Sequence, residues 1–200
     1  MGKGYYLDMT PEMHDFAKEL LSDADFKEAD SLSYDLAQGK KRMKMDARYR
    51  LMEIIKPPPK RPLEYAQHEI QYLPQSTRNS IKYLGDYIDL LVKAMAFEIT
   101  KIPHCKKTSL NGNLQRLKPE KYPVPSELIE NLRRYNDLFY NPAKHDFSPP
   151  PSGREHHFTS IETVYLVFLT MKLAKDICKI SPFANKVSLD KETIEDFEDF

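Results

Sequence analysis

At 200 residues the chain has the length of one domain and can bury a core without disulfide or metal staples. Thirty basic side chains balance 30 acidic ones, so the formal net charge is zero and the global basicity of a simple nucleic-acid-binding domain is excluded. No apolar run approaches the roughly 18 residues that a membrane-spanning helix needs, and the opening Met1-Gly-Lys-Gly-Tyr-Tyr lacks the apolar stretch of a signal peptide, so a cytoplasmic protein with no membrane partner is expected.

Thr10-Pro11-Glu12 reads as a helix start, with a capping hydroxyl, a first-turn proline and an acid near the positive end of the dipole; the helix runs to about Leu21. From Phe26 to Ile55 the pattern suits one long helix or two, interrupted only at Gly39. Pro57-Pro58-Pro59 ends it, and Pro62 keeps the connection stiff. The strongest periodic signal follows: Ile81, Leu84, Ile88, Leu91, Met95 and Ile99 line one face of a helix from about Gln75 to Lys101. A short helix carrying Leu110, Leu114 and Leu117 comes next, and then one opened by Ser126-Glu127 and stopped at Asn141-Pro142. The last main helix spans Ser160 to Lys179, with Ile161, Val164, Phe168, Leu169, Leu173 and Ile177 on its apolar face.

Period-two alternation is nowhere convincing. The expected fold is all-α: an up-and-down bundle of four to five core helices over residues 62–188, an N-terminal helical arm over 1–61 and an acidic tail over 189–200. Charge follows these divisions. Residues 40–61 hold Lys40, Lys41, Arg42, Lys44, Arg48, Arg50, Lys56, Lys60 and Arg61 against Asp46 and Glu53, while the tail is acidic. The basic stretch is suited either to phosphates or to acidic runs of the same chain. Cys105 and Cys178 stand far apart without a ligand spacing, as packed thiols do.

Within this order of helices, Tyr83-Leu-Gly-Asp-Tyr-Ile-Asp-Leu-Leu, Ser109-Leu-Asn-Gly-Asn-Leu-Gln-Arg-Leu, Arg133-Arg-Tyr-Asn, Asn141-Pro-Ala-Lys-His145-Asp and His157-Phe-Thr-Ser-Ile-Glu-Thr-Val together resemble the HEPN superfamily over residues 74–180. The resemblance implies a helical bundle, commonly a homodimer, that acts as a metal-independent ribonuclease or an RNA-associated protein. Its catalytic pattern sets an arginine and a polar residue shortly before a histidine. Arginine clamps the scissile phosphate, and histidine handles a proton of the ribose hydroxyl or leaving group.

Here the histidine is His145 and the polar residue Asn141, but the arginine position holds Tyr140, and Arg134 lies further upstream. A neutral phenol donates one hydrogen bond and carries no compensating charge. His145, Arg134, Asn141 and Tyr140 are thus the candidate catalytic set, and Arg133, Arg154, His157, Lys41, Arg42 and Arg48 the candidate nucleic-acid contacts. Four of them have a plainer role: loop bridging for His145, helix capping for Asn141, dipole compensation for Arg133 and Arg134. His145, Asp146, His156 and His157 match no metal motif, and neither metal nor cofactor is expected. The favoured expectation is a non-catalytic or weakly RNA-associated module; the alternatives are a ribonuclease using His145 with a nearby arginine, and a scaffold for a protein partner.

Overall fold

Hydroxyl caps set where the first helices begin. In the computed structural model, which describes residues 9–55, 61–144 and 158–189, the Met13 amide donates to Thr10 Oγ1 at 3.3 Å and helix α1 runs Pro11–Leu20. Ser22 repeats the device by accepting from the Asp25 amide at 3.2 Å, so α2 spans Asp23–Gln38 and begins ahead of Phe26. At Gly39 the backbone turns extended and its N–H donates to the Asp35 carbonyl at 2.9 Å; a Cβ there would lie 2.2 Å from that same oxygen. Glycine permits this close turn, and two helices result, α3 following as Lys41–Ile55.

The next helix, α4 at Arg61–Ile70, was not anticipated, because Pro62 reads as linker. Proline in a first turn loses nothing, since its missing N–H would be unpaired there anyway. The central helix α5 occupies Thr77–Thr100 and closes on Lys101 in the left-handed conformation at φ 58°. A 3-10 turn at Pro103–Lys107 leads to α6, Leu110–Arg116, capped by Ser109 Oγ on the Gly112 amide at 3.3 Å.

Helix α7 covers Ser126–Tyr135, and here the expected stop at Asn141-Pro142 is corrected. The chain widens into a π turn at Asn136–Tyr140 and continues as α8, Asn141–Lys144. Pro142 can neither donate an amide nor tolerate a close carbonyl four residues back, and the wider turn relieves both conflicts. Asn141 is thereby an exposed helical residue with φ −62° and not a cap. Helix α9, Ser160–Ile180, opens with the Thr159 amide donating to Glu162 Oε2 at 2.6 Å, and α10 is Pro182–Leu189.

The protein is all-α, with no strand among the described residues. Helices α5 and α9 pack along each other as the centre. Helix α4 covers α5, α2 covers α9, and α10 lies against both. Glu98 holds the start of α10, accepting from the Phe183 amide at 3.1 Å and from the Ser181 hydroxyl. A single apolar cluster includes Phe16, Leu32 and Leu51 of the first three helices together with Leu91, Leu169 and Val187. Residues 9–55 are therefore seated on α9 through a shared core. The triple proline and the acidic segment after Leu189 lie outside the described residues.

Candidate functional site

Tyr140, at the position where the HEPN resemblance expects an arginine, sits where the π turn crosses α5. Gly85 makes the crossing: a Cβ on it would lie 2.0 Å from Cδ2 of Tyr140. The phenol is 2% exposed, and its hydroxyl donates to Asp86 Oδ1 at 2.7 Å. Lys144 Nζ in turn donates to the Tyr140 oxygen at 3.1 Å and stands 5.0 Å from the ring centroid. The Arg78 guanidinium ties down the end of α8 by donating from Nε to the Ala143 carbonyl at 3.0 Å.

Burial, then the charge of Asp89, then hydrogen bonding to Asp86 and its charge hold the Tyr140 hydroxyl well above the ordinary phenol range. It stays a neutral donor with its proton committed to Asp86. One turn along α5, buried Asp89 pairs with Lys93 at 2.9 Å, while its Oδ1 has no hydrogen-bond partner among the described residues. Burial raises the Asp89 pKa and outweighs the opposing pull of Lys93 and Lys144.

This shift has a testable sign. Folded Asp89 takes its proton at a higher pH than the unfolded side chain, so between the ordinary value of 3.8 and the raised folded value the native state binds more protons. Its contribution to stability is present at low pH and declines as pH rises through that window. Denaturation midpoints of the wild type and Asp89→Asn, compared across the acidic range, are expected to show this slope in the wild type and not in the variant. Parallel curves would contradict the assignment.

Among the described residues, the candidate arginines are not gathered around Tyr140. Arg134 forms an ion pair with Glu19 of α1 at 2.5 Å, and its guanidinium carbon lies 4.6 Å from the centroid of Phe16. It joins α7 to α1. Arg133 is exposed and 4.0 Å from Glu130 on its own helix. His145, Arg154 and His157 lie outside the described residues.

On α3 the basic side chains divide. Arg48 turns inward to donate to the Leu73 carbonyl, Arg50 pairs with Glu28 at 2.6 Å, and Lys44 reaches the Ala37 carbonyl at 3.5 Å. Lys40, Lys41 and Arg42 are exposed, with only Asp46 near Arg42 at 3.9 Å. Arg42, Met45 and Tyr49 follow at three- and four-residue spacing and so share one face, on which Tyr49 is 57% exposed.

A second basic stretch has no counterpart among the sequence expectations. Residues 101–121 contain Lys101, Lys106, Lys107, Arg116, Lys118 and Lys121 against a single acid, Glu120. A charge count would have found it, but apart from adjacent Lys106 and Lys107 the cations are spaced out along the chain. No described carboxylate pairs with Lys101, Lys107, Arg116, Lys118 or Lys121. No group of side chains arranged to hold a metal ion occurs among the described residues, and among them no helix is long and apolar enough to cross a membrane. Comparison with known proteins finds no matching family model, no matching curated protein and no matching solved structure.

Proposed function

We propose that this chain is a non-catalytic, HEPN-like helical module that associates weakly with RNA. The observation that carries the reading is the engagement of Tyr140. A buried neutral phenol bonded to Asp86 occupies the position where phosphate chemistry would require a guanidinium, and the nearest upstream arginine, Arg134, is paired with Glu19. The RNA half is supported by α3, where exposed Arg42 and exposed Tyr49 share one face, with exposed Lys41 beside Arg42 and exposed Lys40 just ahead of the helix. Lysine and arginine neutralise phosphates, and an exposed aromatic ring stacks on an unpaired base in any sequence context. A cytoplasmic homodimer belongs to the same reading, and sedimentation of the purified protein tests the dimer.

The test is titration of a fluorescent single-stranded RNA with the full chain. The affinity is expected to fall steeply between about 50 and 200 mM salt, to weaken when Lys40, Lys41 and Arg42 are changed together to glutamate, and to be indifferent to His145→Ala. Failure to bind RNA at any salt concentration would overturn the RNA half and favour a protein partner.

A further inference from the structure

The surface around the C-terminal end of α5 is built as one unit. Thr100 Oγ1 donates to the Ala96 carbonyl at 2.6 Å and lies 3.4 Å from Cys105 Sγ, which fastens the 3-10 turn to the helix end. Asn113 of α6 then donates from Nδ2 to the Cys105 carbonyl at 2.9 Å and to the Thr108 carbonyl at 3.3 Å. Beyond α6 the chain folds tightly again, with the Tyr122 amide on the Lys118 carbonyl at 3.0 Å. The end of α5, the 3-10 turn and α6 are thus fastened to one another, the turn at 118–122 follows α6 directly, and each piece contributes cations.

On this frame Lys101, Lys107, Lys118 and Lys121 are exposed. Lys106 lies 4.9 Å from the Phe97 ring centroid, and Arg116 Nη1 stands 3.8 Å from Cys105 Sγ. Lys121 lies 5.3 Å from the centroid of half-buried Tyr122. Part of this charge is accounted for by the helix dipole, which favours cations at the last turn of α5. That effect fades within a turn and explains Lys101 alone. Lys107, Lys118 and Lys121 have no described carboxylate paired with them, with Glu120 the one acid of the stretch, and an anionic partner offsets their mutual repulsion.

The geometry points to this rim, Lys101 to Lys121, as a docking surface for the phosphate backbone of single-stranded RNA, separate from the α3 face. The inference rests on the RNA reading above and adds the place where the strand would lie. A polyphosphate fits better than a lipid surface. The cations come from separate turns and not from one amphipathic helix, and Ile102 is the only strongly exposed large aliphatic side chain among the described residues of this rim, so little would insert between headgroups. Each lysine acts as a flexible point charge, which suits sequence-independent recognition of a backbone.

The experiment uses the full chain, a fluorescent single-stranded RNA and vesicles of phosphatidylcholine with phosphatidylserine. Lys101, Lys107, Lys118 and Lys121 are changed together to glutamate and, in a second variant, to glutamine, with circular dichroism to confirm folding. Glutamate is expected to weaken RNA binding at least tenfold. Glutamine is expected to weaken it less and to lower the slope of log affinity against log salt by about 2–3, at about 0.7 for each single-strand phosphate that is no longer neutralised. Wild-type binding that survives both variants overturns this inference alone, leaving α3 as the RNA surface. A wild type that does not bind RNA overturns both readings, and so does binding confined to the vesicles.

Discussion

Gly85→Ala destabilises the protein by about 2–4 kcal/mol, the sum of overpacking and the loss of a hydrogen bond to a charged acceptor. In an exposed helix the same change would stabilise by about 1 kcal/mol, because alanine is the better helix former. The sign reverses here because the added Cβ falls 2.0 Å from the Tyr140 ring, inside any permitted separation. The ring must leave α5, and its hydroxyl leaves Asp86 with it. Asp86 and Lys144 are then deprived of their common partner, and the π turn of the ring that seats it. Urea denaturation of the two proteins measures the difference. An alanine variant as stable as the wild type would show that Tyr140 does not rest on the helix, and the observation that carries the proposed function would fail.

Phe16→Ala is expected to cost about 3–5 kcal/mol, the range for emptying an aromatic site in a closed core. Phe16 is fully buried on α1 and lies beneath the Arg134 guanidinium. The substitution removes the apolar packing and the platform under that cation together. Because the first three helices share their apolar cluster with α5 and α9, the change is expected to lower one cooperative transition for the whole protein. Tyrosine fluorescence and far-ultraviolet circular dichroism should report the same midpoint. Two separated transitions, with the later one unmoved by the substitution, would mean that residues 9–55 fold as a unit of their own.

Much of this architecture was legible in the amino-acid pattern where burial and periodicity coincide. Ile81, Leu84, Ile88, Leu91 and Met95 mark α5 by their spacing, and all five are buried. The capping residue Thr10 announces its helix start because the chemistry of a cap is local. The π turn was not legible. It arises from a shift in hydrogen-bond register ahead of Pro142, and no residue pattern encodes that shift. Helix α4 was hidden by a proline whose meaning depends on whether it opens a helix or interrupts one.

The candidate site divides along the same line. That Tyr140 falls where the HEPN resemblance expects an arginine is an expectation from the order of residues; that it bonds to Asp86, 54 positions earlier, is a property of tertiary structure alone. The basic run on α3 is visible as composition, yet Arg48, Arg50 and Lys44 are committed to a carbonyl, a carboxylate and a helix end. Composition counts charges and does not reveal which are already neutralised or turned inward. The rim at Lys101–Lys121 shows the converse, since it is unremarkable as a string and becomes a surface when the 3-10 turn and α6 fold together.

The central claim, an RNA-associated module without catalysis, is tested most directly by incubating the purified full chain with end-labelled single-stranded RNA at low salt and resolving the products on native and denaturing gels. The account predicts RNA that is retarded on the native gel and intact on the denaturing one. Cleavage that persists in the presence of a metal chelator and disappears in His145→Ala would contradict it, and would establish that catalysis proceeds with Tyr140 in the arginine's position.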